Sequence, residues 1–345
     1  MKNIGVLIVD DSVLMRRILS DIISSAGGME VVGTARNGIE GVRKTAELNP
    51  DVVLMDIEMP EMDGLTALTQ IMEETPTPVV MVSALDAKDA DIVLQSLDKG
   101  AVDFVSKPQG RSITVFDNED SKRLIEVVKS AAFANISPSK PVKRVKEELE
   151  IKEESTPPLI VIGASTGGPK TIKDLLSNLP DNIHAYILIV QHMPPGFTKS
   201  FADRLGPLTG FHVVEAKDRE PLAIGKVIVA QGDNHMVIEK LGLKSYTVRL
   251  DKGPKVNAVR PSVDVTMESA AEVFGSNIIA ILLTGMGSDG AIGMSKIKKK
   301  GGKTIAEDKS SCVINGMPKA AISLGAADYV TPLHEIPLQI MNLMT

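Results

Sequence analysis

Ser165 stands in Gly163-Ala164-Ser165-Thr166-Gly167, at the end of an apolar run and just ahead of a helix expected to start near Pro169. Glycines on both sides suit a serine exposed on a sharp strand-to-helix turn, where unusual backbone angles and close approach exclude side chains. A serine hydroxyl is a poor nucleophile until a base takes its proton, and the base needs an acid to orient it and stabilise its charged form. His192 closes the run AYILIVQH, and Asp289 lies in the glycine-rich turn LLTGMGSDG that follows IIAILL. The predicted chemistry is acyl transfer, with Ser165 as nucleophile, His192 as general base and then acid, and Asp289 as the orienting carboxylate. Backbone N–H groups of Met286 and Thr166 are the predicted oxyanion donors.

Singly, each residue has a plainer reading: Ser165 as a helix cap, His192 as a satisfied turn residue, Asp289 in an Asx-turn. Together, three triad residue types at three strand ends favour catalysis. The sharpest rival is a dinucleotide site, because Gly163, Ser165 and Gly168 approximate G-x-G-x-x-G after a strand. That site needs an acidic residue at the end of the next strand, where this chain has Gln191-His192. Cys312, in AEDKSSCVING, has no adjacent histidine and reads as a small buried hydrophobe. A different class of reading makes the second half a phosphorylation-gated binding module with its triad residues serving turns. Ser165→Ala would then leave activity in the cell unchanged.

The N-terminal third presents another constellation. Asp10 and Asp11, Asp56, Ser83 and Lys107 each close a short apolar run. Ligands gather at such strand ends in doubly wound sheets. Converging carboxylates repel one another unless a hard divalent cation sits among them, and magnesium is the natural choice. Asp56 then becomes a nucleophile toward a phosphoryl donor, with Lys107 neutralising the phosphate and the Ser83 hydroxyl bonding to it. Any one of these aspartates alone reads as a helix cap.

The elements that must position these groups follow from the apolar pattern. From Ile4 to about Pro108, the runs IGVLIV, DVVLMD, PVVMVS and VDFVS alternate with helical stretches, and residues 121–134 close the unit as its last helix. NISPSKPVKRVKEELEIKEESTPP then reads as a charged, proline-flanked linker, its charged block compatible with a solvated helix. After Pro158 the alternation resumes with PLIVIGAS, AYILIVQH, VIVAQG, IIAILLTGMG and GKTIAED. HMVIEKLGLKSYTVRLD carries two β-prone runs and predicts a hairpin forming an antiparallel edge. The predicted fold class is therefore α/β: two doubly wound, mostly parallel domains over 1–134 and 158–345, joined by a linker over 135–157.

Composition agrees with two globular domains and removes other classes. The 345 residues exceed twice the roughly 150 of a typical domain. Hydrophobic residues at 43% allow both halves a core. A net charge of −6, 3% aromatics and no tryptophan leave nothing of the basic, stacking surface of a nucleic-acid binder. One cysteine excludes an internal disulfide framework, which fits a cytoplasmic protein. The N-terminal apolar run, broken by Asp10 and Asp11, is neither a signal peptide nor a membrane span.

Two resemblances cover nearly the whole chain. Through IVDDS, LMDIEMPEMDG, MVSA and FVSKP the first domain resembles the two-component receiver family. That likeness implies a flavodoxin-like fold, phosphorylation of Asp56 by a histidine kinase, and magnesium held by Asp10, Asp11, Asp56 and the backbone carbonyl of Glu58. It further implies a switch through Ser83 and Phe104, and a cis Lys107–Pro108 bond. Through IGASTGGP, QHMPPGFT, GDNHM, RPSVD, LLTGMGSDG and SCVINGMPKAA, residues 158 to 345 resemble the chemotaxis protein-glutamate methylesterase family. This implies hydrolysis of glutamate methyl esters on chemoreceptors with release of methanol, often with deamidation of receptor glutamines. No cofactor is expected for the hydrolase, and a monomer acting at membrane receptors without inserting is expected. The receiver is expected to pack over the Ser165 site and restrain it until Asp56 is phosphorylated. His235 in GDNHM receives no chemistry, and Arg260 to Asp264 reads equally as a substrate-groove wall or an ion-paired surface loop.

Overall fold

Runs rich in valine and isoleucine, buried on both faces, become parallel strands, and the amphipathic stretches between them become the covering helices. The computed structural model describes residues 3–84, 90–107, 119–136, 156–242 and 244–344. The Lys107–Pro108 bond and most of the predicted linker lie outside the described residues. The chain divides into two compact units, Met1–Ser137 and Pro138–Thr345.

In the first unit β1 (Ile4–Val9), α1 (Val13–Ser25), β2 (Met29–Ala35), α2 (Gly38–Leu48), β3 (Val52–Asp56), α3 (Gly64–Glu74), β4 (Val79–Ser83), α4 (Ala90–Asp98), β5 (Asp103–Ser106) and α5 (Glu119–Ala131) alternate strictly. The strands pair in parallel in the order β2-β1-β3-β4-β5. This is the flavodoxin-like winding, whose ligand site lies at the carboxyl ends of β1 and β3. Ser12, Asn37 and Asp63 cap α1, α2 and α3 through their side chains. Asp10 and Asp56 cap no helix.

The second unit contains β6 (Leu159–Ala164), α6 (Gly168–Leu176), β7 (Tyr186–Gln191), α7 (Phe197–Thr209), β8 (His212–Glu215), β9 (Glu220–Pro221), β10 (Lys226–Val229), β11 (His235–Lys240), β12 (Tyr246–Asp251), α8 (Val263–Phe274), β13 (Ile278–Leu282), α9 (Ala291–Lys299), β14 (Lys303–Glu307), α10 (Met317–Ser323), β15 (Tyr329–Thr331) and α11 (Ile336–Met344). Seven strands form one sheet in the order β15-β14-β13-β6-β7-β10-β8, and every pairing in it is parallel. The chain winds from β6 toward β7 and later returns on the other side through β13, which puts a topological switch point beside β6.

The predicted hairpin forms, but it does not edge this sheet. β11 and β12 pair antiparallel and join the short β9 in a separate three-stranded sheet. The apolar pattern shows that a run is a strand and leaves open which sheet receives it. Here the hairpin lies on α8: the Thr266 hydroxyl donates to the Met236 carbonyl at 2.7 Å, and Ile238 N–H donates to Ser269 Oγ at 3.1 Å. Tyr246 packs against Phe274 with ring centroids 4.4 Å apart, and both meet Tyr186 edge-on. One apolar cluster therefore runs from Val161 and Leu188 through Val263 and Met267 to Met236 and Val248, fixing α8 beneath the switch point.

Candidate active site

Three adjacent strands deliver three side chains to one edge: Ser165 follows β6, His192 follows β7 and Asp289 follows β13. Ala164 and Gln191 are partners in the β6–β7 register, and His192 N–H donates to the Ala164 carbonyl at 3.1 Å. The serine's own N–H is taken by the Thr284 carbonyl at 3.0 Å, so the loop after β13 holds the elbow from the other side. Helix α6 is capped by Gly167, at φ 77°, with no side-chain cap bond. Ser165 is thus not a helix cap. Gly167 has the backbone conformation that favours glycine, and a Cβ there would also strike Val313 at 2.6 Å.

His192 Nε2 lies 2.8 Å from Asp289 Oδ2. With Nε2–H directed to the carboxylate, Nδ1 is the nitrogen left to accept a proton. Among the described residues no hydrogen bond joins the Ser165 hydroxyl to His192. Such bonds often tighten only when substrate is bound.

Asp289 is nearly fully buried and heavily solvated by protein. Its Oδ1 accepts from Ser262 Oγ at 2.7 Å, Asn257 Nδ2 at 2.8 Å and Asp264 N–H at 3.3 Å, and its Oδ2 accepts from Val263 N–H at 2.6 Å. Two of these donors belong to the first turn of α8, whose positive end favours a carboxylate. Burial works against the charge, but the hydrogen bond and attraction of His192, then Ser262 and Asn257, hold the Asp289 carboxyl down at about 2. Its neighbour Asp264 is pushed upward, by burial first and by repulsion from Asp289. Asn257 bridges the two acids, reaching Asp264 Oδ2 at 2.9 Å, and Gly293 N–H binds Asp264 Oδ1 at 2.7 Å.

This network absorbs the residues that sequence reasoning left open. Arg260 pairs with Asp233 and also donates to the Gly253 carbonyl at 2.7 Å. Ser262, Val263 and Asp264 serve Asp289 directly. His235, buried, donates from Nε2 to the Pro254 carbonyl at 3.0 Å and accepts Ser262 N–H at Nδ1 at 3.1 Å. It therefore supports the segment that supports the acid. The RPSVD and GDNHM motifs were visible signals; Asn257 was not, because its place depends on a tight turn in which Asn257 and Ala258 both take positive φ.

The predicted oxyanion donors are the backbone N–H groups of Thr166 and Met286. Thr166 is the chain neighbour of Ser165, with its side chain buried and its carbonyl receiving the Thr284 hydroxyl at 2.9 Å. Met286 follows Gly285, where an added Cβ would lie 2.8 Å from Ser165 Cβ. Thr284 N–H is held in turn by the buried Glu307 at 2.8 Å. Burial pushes that carboxyl up to about 7 despite hydrogen bonds from Ser311 and Thr284. Cys312 lies buried against the Glu307 carbonyl, and burial pushes its thiol far upward, which removes it as a rival nucleophile.

In the first unit Asp10, Asp11 and Asp56 offer carboxylate oxygens within 4.8 Å of one another. Asp10 Oδ2 is buried, 3.2 Å from Lys107 Nζ as an ion pair but without a hydrogen bond, an oxygen left for a hard cation. Lys107 Nζ lies 2.7 Å from Asp56 Oδ2, and Lys107 N–H donates to the Ser83 carbonyl at 2.7 Å. Burial pushes Asp56 up to about 6; the Lys107 hydrogen bond opposes this and the charge of Asp10 adds to it. Ser83 ends β4 and Phe104 lies in β5, both buried. Glu58 is two residues beyond Asp56, on an exposed loop.

Residues 160–340 match the CheB methylesterase family model, and residues 6–114 match the response regulator receiver domain. A relative from Thermotoga maritima called protein-glutamate methylesterase/protein-glutamine glutaminase is 46% identical, with 99% of this chain and 98% of the relative covered. One of the same name from Archaeoglobus fulgidus is 44% identical over 98% of this chain and 97% of its own. The crystal structure of the Thermotoga maritima CheB methylesterase catalytic domain matches with a TM-score of 0.53 and 47% identity, covering 55% of this chain and 100% of that one.

Proposed function

The chain belongs to the CheB methylesterase family and carries a response regulator receiver domain ahead of it, and from that premise we propose a phosphorylation-activated hydrolase of chemoreceptor glutamate methyl esters. The single observation that carries the mechanism is the hydrogen-bonded His192–Asp289 pair beside the Ser165 elbow. We assign the receiver to 1–134, the linker to 135–157 and the hydrolase to 158–345.

Ser165 Oγ attacks the ester carbonyl while His192 Nδ1 takes the hydroxyl proton, and Asp289 stabilises the imidazolium that forms. The oxyanion is received by backbone N–H groups of Met286 and Thr166, each such donor contributing roughly 3 kcal/mol. The tetrahedral intermediate collapses as His192 returns the proton to the leaving methoxide, releasing methanol and leaving a glutamyl ester on Ser165. Water, deprotonated by His192, attacks that ester, and the second collapse frees Ser165 and the receptor carboxylate. A receptor glutamine gives the same acyl-enzyme with ammonia as the leaving group. The hydrolase needs no cofactor.

In the receiver, Asp10, Asp11, Asp56 and the Glu58 carbonyl would hold magnesium. Bound there, it would screen the carboxylates and the incoming phosphoryl group. Asp56 accepts the phosphoryl group from a histidine kinase, Lys107 pairs with it, and Ser83 and Phe104 report it. Among the described residues no helix is long and apolar enough to cross a membrane. We place the protein in the cytoplasm, as a monomer that acts on methylated chemoreceptors and binds no nucleic acid.

The shared acyl-enzyme supplies the test. Methanol release from methylated receptor and ammonia release from a glutamine-bearing receptor are expected to disappear together in Ser165→Ala. Ammonia release that survives the substitution would contradict the reading.

A further inference from the structure

Gln191 is the last residue of β7, immediately before the catalytic histidine, and it is 2% exposed. Its side-chain Nε2 donates to two backbone carbonyls, that of Ser165 at 2.9 Å and that of His192 at 3.3 Å. The Ser165 carbonyl also receives Gly168 N–H at 2.8 Å, the bond that closes the elbow turn. One buried amide thus ties the main chain of the nucleophile to the main chain of the base.

The orientation of that amide follows from its surroundings. Turned over, its oxygen would face two carbonyl oxygens, so the nitrogen must point at them. Its Oε1 then lies on the Gly168 side, where an added Cβ would approach it to 2.1 Å, and makes no hydrogen bond. An unpartnered buried acceptor costs stability. An apolar side chain of the same length would fill the space without that cost, so what the amide adds is the bridge between the two carbonyls. Gly168 belongs to the same device, since its missing side chain makes room for Gln191. The glycine that suggested a dinucleotide cradle opens onto a packed side chain.

We propose that Gln191 is a positioning residue for the acyl-transfer reaction, locking the Ser165 elbow and the His192 backbone into one rigid unit while the proton moves between their side chains. This rests on the Ser165–His192 assignment. The amide lies behind the reacting groups, on their main chain, so its loss acts on the chemical step and leaves receptor binding unchanged.

The test uses the full-length protein with methylated receptor, activated by a small phosphodonor and magnesium. Gln191→Met keeps the length and removes both donors. Its kcat is expected to fall about 100-fold, the cost of a small misplacement of reacting groups, with KM within about twofold of the wild type. A kcat within about threefold of the wild type, or a rise in KM with kcat intact, overturns the proposal. Should Gln191→Met not fold, Gln191→Glu decides through its pH profile. Its protonated form restores one donor, so its kcat relative to wild type is expected to rise as pH falls, and a flat ratio contradicts the clamp. Ser165→Ala, run alongside, separates the two assignments. If it retains turnover the nucleophile assignment fails, and if it is inactive while Gln191→Met is unimpaired only the clamp fails.

Discussion

At the scale of single residues, the site is built around a carboxylate that receives five donors. A group held at about 2 by His192, Ser262 and Asn257 against its own burial is ionised throughout the range in which enzymes work. Asp289→Asn removes the charge and redirects the imidazole tautomer, and turnover is expected to fall about 10⁴-fold with the fold intact. Kinetics with a circular-dichroism control would check this, and a loss below tenfold would contradict the assignment. Glu307 makes the opposite case. Its raised value means that its favourable contribution is fully present below pH 4.5 and is lost as pH rises through about 7. The difference corresponds to roughly 3 kcal/mol. Glu307→Gln keeps an acceptor for Thr284 N–H and is expected to raise the thermal midpoint at pH 8 while matching wild type at pH 4. A lower midpoint at pH 8 would contradict it. Ser165, His192 and Asp289 stood out in the sequence because each follows an apolar run that becomes a strand. The donors around Asp289 come from a tight turn and a helix start, and their meeting depends on three-dimensional placement that linear spacing does not encode.

At the scale of elements, the proposed mechanism depends on how closely the loops after β6 and β13 approach. Gly285 lies against Ser165: a Cβ there would meet Met317 Sδ at 2.4 Å, Ser165 Cβ at 2.8 Å and Ser165 N at 3.0 Å. Gly285→Ala is expected to displace the elbow and lower kcat about 100-fold with receptor affinity little changed, as steady-state kinetics and a binding assay would show. Unaltered kcat would mean that the loop can yield. Strand and helix positions could be read from the apolar runs, since runs such as VVLMD and LIVIGA are buried throughout. The assignment of HMVIEK and YTVRLD to a separate sheet could not. Both their own pairing and the contact with α8 satisfy the same alternation, and only the packing of Tyr246 on Phe274 and of Met236 on Thr266 decides between the partners.

At the scale of the whole molecule, two units carry two chemistries, a phosphoryl acceptor in the first and an acyl acceptor in the second. They are joined if a phosphate on Asp56 raises turnover at Ser165. Asp56→Asn keeps the size of the side chain but offers no carboxylate, so basal hydrolysis is expected to persist while the response to phosphodonor is lost. The most direct measurement is methanol release from methylated receptor by the wild type, Ser165→Ala and Asp56→Asn, each with and without a small phosphodonor and magnesium. The expected result is that Ser165→Ala loses turnover on the order of a million-fold and that only the wild type accelerates with phosphodonor. Full activity in Ser165→Ala, or equal acceleration in Asp56→Asn, would contradict it.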